Sequence, residues 1–239
     1  MKIATWGRAF ACVALLSLVG SPSSAAATTP KVHPVQLAGD TDSPACLNCH
    51  SHITNGKYVH TAVSMGCSVC HSIQNQGNAT QVTLVSPPDQ LCFTCHTKSS
   101  DPVQHQPYSE GDCTVCHSPH SSNFPAHTLA AQQDICMGCH VKGLPKVNQA
   151  KKTVVVPWGA SITWKQMPRW YYIGLNKQHT ANHPTLGHPV TGPNTLLGSS
   201  APDITCLSCH QAHTSTQANL RPAKFANQTA LCVSCHNTL

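Results

Sequence analysis

Seven times the chain places two cysteines three residues apart and follows the second with histidine. The units are Cys46, Cys49 and His50; Cys67, Cys70 and His71; Cys92, Cys95 and His96; Cys113, Cys116 and His117; Cys136, Cys139 and His140; Cys206, Cys209 and His210; and Cys232, Cys235 and His236. Two thiols at this spacing can form two thioethers to one porphyrin, and the adjacent imidazole can ligate its iron. Each unit is therefore the attachment signature of a haem c. Paired CxxC units also bind zinc or close disulfides. Neither chemistry uses a histidine at the fifth position, yet all seven units have one in a chain with 17 histidines among 239 residues. The cofactor expectation is seven covalently bound haem c groups, and the first functional expectation is electron transfer.

The elements that must position these groups follow from the spacing. Cys, Cys and His at i, i+3 and i+4 share one face of a helix, so each unit predicts a short helix carrying one haem. Ser43, Ser64, Asp89, Asp203 and Thr229 each stand three residues before a first cysteine and are expected as N-caps, with Pro44 at the first helical position after Ser43. Stretches such as Asn75 to Thr80 and Thr191 to Pro202 are rich in Gly, Pro, Ser, Thr, Asn and Gln and read as loops. First cysteines lie 21, 25, 21, 23, 70 and 26 residues apart. That rhythm reads as one leading haem followed by the pairs 67/92, 113/136 and 206/232, the layout of units that cannot bury their faces alone.

Residues 111–120 (Gly-Asp-Cys-Thr-Val-Cys-His-Ser-Pro-His), with His105 upstream and the Cys136 unit downstream, resemble a doubled-CxxCH multihaem cytochrome repeat. His188, the Cys206 unit, His213 and the Cys232 unit are similar. Pair 67/92 keeps His60 and Gly66 but has Gln74 where the repeat has histidine. The resemblance implies closely stacked bis-histidine haems in an exported electron-transfer protein. It also implies a fold that is mostly coil with short α-helices and little β, an irregular multihaem cytochrome c fold whose core is the haems. On the same resemblance His105 and His120 serve the second pair, His188 and His213 the third, and His60 is equivalent by position. Ten histidines lie outside the motifs, enough to fill the sixth position of seven irons. His52 is too near His50 to reach across its own haem and is expected on a neighbour's. The seventh ligand is left between His127 and His183, with His179 and His33 behind.

Residues 1–27 read as a secretory signal: Lys2 and Arg8, an apolar run from Ala9 to Gly20, and a small-residue zone from Ser23 to Ala27. The expected organisation continues with a five-haem region (28–140), a basic and aromatic insert (141–187) and a two-haem region (188–239). No later stretch is apolar enough to span a membrane. The expected location is the periplasm, with the outer membrane and the exterior as alternatives. From Thr28 onward, Leu, Ile, Val and Phe make up about 18 % of residues, too few for an ordinary core. The mature net charge of +4 becomes about −3 once seven ferric haems with their propionates are counted, which removes the case for nucleic-acid binding.

The insert holds Trp158, Trp164, Trp170, Tyr171 and Tyr172. Seven basic residues, Lys142 to Lys177, lie in it, with no acid between Asp134 and Asp203. It reads as an arm packed over haem faces, or as a docking surface for a redox partner. Val154 to Val156 is expected to form a short strand at its start.

These readings converge on a non-enzymatic relay between a redox-protein donor and acceptor. An outer-membrane porin or other multihaem cytochromes are further candidate partners. Two alternatives remain open at this level: a multihaem reductase of a small inorganic substrate, and a subunit of an extracellular filament or porin conduit.

Overall fold

The computed structural model describes residues 32–140, 146–148, 150, 153–163, 192–198 and 200–236. The expected signal segment, His179, His183 and His188, and most of the insert lie outside them. The described chain consists of short helices, short strands and much coil, and it contains no barrel. None of its helices is long and apolar enough to cross a membrane.

Each haem motif is a tight turn. Two lie wholly within helices, α1 (Ser43–His50) and α5 (Gln132–His140). The cysteines at 67, 92 and 113 open 3-10 turns, and those at 206 and 232 fall in α6 (Cys206–Cys209) and α7 (Gln228–Val233). One backbone bond recurs: the histidine N–H donates to the first cysteine's carbonyl, at 2.9 Å for His96 and His117 and 3.0 Å for His210 and His236. A single closed turn brings two thiols and an imidazole to one side, so a longer helix is not needed.

The expected caps are displaced by one or two residues. Asp42, not Ser43, caps α1, its carboxylate accepting from Ala45 N at 3.0 Å. Ser43 is thereby freed, and its Oγ accepts from Cys67 N at 2.8 Å. Asn227 caps α7, accepting from Ala230 N at 2.8 Å. Thr205 caps α6 in a reciprocal box with Ser208. Ser64 lies inside α2 (Thr61–Met65), and Asp89 inside α3 (Pro88–Leu91).

Strands are more numerous than expected. β3 (His71–Gln76) and β4 (Ala79–Leu84) form an antiparallel hairpin, with β1 (Val32–His33) added on the β4 side. Asn75 to Thr80, read above as loop, is therefore the hairpin's end, turning at Gly77 with φ +60°. Ile73 pairs with Val82, and the buried Thr80 hydroxyl donates to Asn75 Oδ1 at 2.6 Å and accepts from Leu37 N at 3.1 Å. The insert's start is a three-stranded sheet of β7 (Lys146–Asn148), β8 (Thr153–Val155) and β9 (Ser161–Thr163), with the expected valine strand at its centre.

Two ribbons of two residues each tie distant parts of the chain together. β2 (Tyr58–Val59) pairs with β6 (Ser121–Ser122), and β5 (Val103–Gln104) pairs with β10 (Thr214–Ser215). Ser122 and Ser215 are buried and bonded alike. The Oγ of Ser122 donates to the carbonyl of Thr128 and accepts from Phe124 N; that of Ser215 donates to Arg221 and accepts from Gln217 N. Few apolar side chains are buried among the described residues: Val115, Val154, Val156 and Pro107.

Candidate functional site

The motif histidines are aimed by the chain that follows them. His117 Nδ1 donates to the carbonyl of Ala126 at 2.8 Å, and His210 Nδ1 to that of Asn219 at 2.8 Å, each nine residues on. A ring that donates through Nδ1 would hold iron through Nε2. Ala126 and Asn219 adopt left-handed φ of +54° and +58°, and the next residues, His127 and Leu220, follow at +56° and +55°. A non-glycine residue there costs about 1 kcal/mol or more. The same costly bend is built twice, each time delivering a carbonyl to an imidazole.

An iron held between two imidazoles, with about 2 Å to each nitrogen, sets the ring centroids about 6 Å apart. Four motif histidines have a partner ring from outside the motifs at that distance. His96 faces His60 at 6.0 Å, His71 faces His120 at 6.1 Å, His140 faces His105 at 6.0 Å, and His117 faces His213 at 5.8 Å. His50 has two neighbours, His33 at 6.2 Å and His52 at 6.1 Å. Of these, His33 Nδ1 donates to Val35 O at 2.7 Å, the anchoring that frees its Nε2.

These placements revise the pairing inferred from the resemblance. His105 stands opposite a motif of its own repeat, as expected. His120 does not; it faces His71 in the preceding repeat, and His213 likewise faces His117. The ribbons are the cause, because β2–β6 and β5–β10 carry each repeat's post-motif histidine back to the repeat before. His60 N donates to His120 O at 2.8 Å and His105 N to His213 O at 2.7 Å, so the two junctions match bond for bond. His52 sits beside its own motif histidine. His127 lies edge-on to His60 at 5.2 Å rather than opposite a motif ring, and Leu220 fills its place in the trailing repeat. His183 and His188, expected to serve the remaining haems, lie outside the described residues.

Electrostatics suit ligation. A histidine binds metal through a neutral nitrogen. Burial pushes His60, His120 and His213 below the ordinary imidazole range, and neighbouring histidines add to it. His105 is driven down to about 4, by burial first and then by His140 and His213. All four are therefore neutral at pH 7. Burial likewise raises the Cys116 and Cys139 thiols to about 11.

Two residues support the motifs, Tyr108, which the sequence did not single out, and Trp158, which belongs to the aromatic insert. Tyr108 stacks on His213 at 5.1 Å and 24°, while its hydroxyl accepts from Ser99 N at 2.7 Å. It fixes the plane of an imidazole supplied by another repeat. Trp158 Nε1 donates to Val115 O at 2.7 Å, and its ring lies where a Cβ on Gly138 would be. The described start of the insert thus packs directly on the Cys113 and Cys136 motifs.

Among the described residues, which include all 14 cysteines of the motifs, no three His, Cys, Asp or Glu side chains converge on a bare ion. Zinc knuckles gather four ligands at a point. Here the histidines stand in pairs with an iron's spacing between them, so these residues fit haem. The doubled CXXCH motif family matches residues 60–101, 105–143 and 201–239, half of the chain, with the three pairs divided as the spacing predicted. No curated protein and no solved structure matches the chain. With three doubled motifs in its sequence and imidazoles paired at iron distance in its fold, the chain belongs to the doubled CXXCH motif family and is a multihaem c-type cytochrome.

Proposed function

We propose that this protein carries seven haem c groups and relays electrons between redox partners after export, in the periplasm or at the outer membrane, without catalysing a reaction of its own. The observation that carries the proposal is the set of facing imidazoles at 5.8–6.2 Å. Haem c supplies reversible one-electron chemistry at iron, and two imidazole ligands hold its potential below that of Met/His ligation.

The chain's part is to ligate, orient and bury. The Cys pairs anchor each porphyrin. His50, His71, His96, His117 and His140 ligate opposite His33, His120, His60, His213 and His105. His210 and His236 ligate in the trailing repeat, where His183 and His188 complete the set. Carbonyls of Ala126 and Asn219 fix two ring planes. Scarcity of buried apolar side chains among the described residues supports a core made of porphyrin. The donor and acceptor are redox proteins, and a porin or another multihaem cytochrome fits the outer-membrane end of such a route.

A pyridine haemochrome assay combined with intact mass should give seven haems per chain, and the oxidised protein should be low-spin throughout. A reproducible count of six or fewer, or one persistently high-spin haem binding CO, would overturn the proposal.

A further inference from the structure

Seven attachment motifs can be arranged in space in many orders, branched or linear. Contacts between them select one, and the contacts are of two alternating kinds.

The first kind joins the end of one pair to the start of the next. Ser43, Asp89 and Gln133 each stand three residues before a first cysteine, and each touches the following motif. Ser43 Oγ accepts from Cys67 N at 2.8 Å. Asp89 backbone lies so close to Gly111, two residues before Cys113, that a Cβ at Gly111 has no room. Gln133 Oε1 accepts from Cys206 Sγ at 3.2 Å. The last joint spans 70 residues of sequence.

The second kind joins the two motifs of one pair. His60 N to His120 O links the rings that face His96 and His71, and His105 N to His213 O links those that face His140 and His117. Cys116 and Cys139 pack on the same Val115–Val156 cluster. In the third pair one short segment touches both motifs: Ile204 N, two residues before Cys206, donates to Gly192 O at 2.7 Å, and Asn194 Nδ2 donates to Cys235 Sγ at 3.8 Å.

We infer that the attachment sites form a single unbranched file in chain order, from Cys46 through Cys67, Cys92, Cys113, Cys136 and Cys206 to Cys232, joined alternately through the residue three before a first cysteine and through contacts within a pair. The inference rests on the reading that every motif is loaded with haem. Its consequence is that the protein has two ends only. The Cys46–His50 site and the Cys232–His236 site are the places where electrons enter and leave.

The fully reduced holoprotein is diamagnetic if its haems are low-spin, so proton Overhauser contacts between thioether groups of different haems can be read directly. Haems are assigned by shifting one at a time with His120→Met and His213→Met. Six sets of contacts are expected, each between consecutive motifs, the Cys136–Cys206 set among them. A contact between non-consecutive haems, or a Cys136 haem in contact with the Cys232 haem instead of the Cys206 haem, would overturn the order. A haem count below seven would instead defeat the reading beneath it, so the two failures are told apart.

Discussion

The first and second repeats share an upstream histidine, the same backbone bond from that histidine to the next repeat, and the same 6.0 Å ring spacing to their second motif. They part after the first motif. The second repeat has His120, which is handed back to the haem site at His71. The first has Gln74, which lies in the middle of β3 and pairs with Gln81. A handed-back histidine is useful only if the preceding unit has a first-type motif to receive it. The leading unit has a single motif, and its His50 already has two neighbouring rings, His33 at 6.2 Å and His52 at 6.1 Å. Gln74 is therefore not a decayed site. It marks the start of the file, and the chain spends that stretch on a hairpin instead.

The largest effect that would break this comparison lies at two glycines. Gly111 has φ +79° with the Asp89 backbone against it, whereas Gly66 has φ +117° and open space, with Ser43 Oγ 3.5 Å from a built Cβ. Gly111→Ala should cost about 3 kcal/mol or prevent folding, and Gly66→Ala about 1–2 kcal/mol, read by denaturant unfolding of the holoprotein. Equal losses would mean that the two joints are not built differently. Next come the handed-back ligands. His120→Ala and His213→Ala should each leave one haem attached but high-spin and able to bind CO, with a raised potential. The haem affected should be that of the preceding repeat, at His71 and His117 respectively; a change at His140 or His210 would refute the exchange. The smallest effect is expected from Gln74→His, which should leave axial ligation and haem count unchanged. A new low-spin species would show that the leading unit does have a vacancy.

The motifs, their division into pairs and the upstream histidines were legible in the sequence because each rests on local spacing. The assignment of His120 and His213 was not. It depends on ribbons of two residues, too short to carry any periodicity, that pair across more than 60 residues of chain. Caps were misplaced where two capable residues adjoin: Asp42 takes the helix, and Ser43 turns to Cys67 instead. The β3–β4 hairpin was missed because its polar end, Asn75 to Thr80, has loop composition, while the pairing of Ile73 with Val82 that holds it lies outside that stretch. Tyr108 gave no signal, since its role is to support a residue far along the chain, and for Trp158 the composition of the insert gave a packing role but not the partners Val115 and Gly138.

Ligand exchange between repeats also sets an order of completion during biosynthesis. On the proposed ligation His60 and His105 precede the motifs they face, so those sites could close as soon as both groups emerge on the exported side. His120 and His213 follow the motifs they face by a full repeat. The sites at His71 and His117 must therefore wait with one axial position open until the next repeat arrives. A truncated chain would end on such an open site, which gives quality control a local chemical mark of an unfinished molecule.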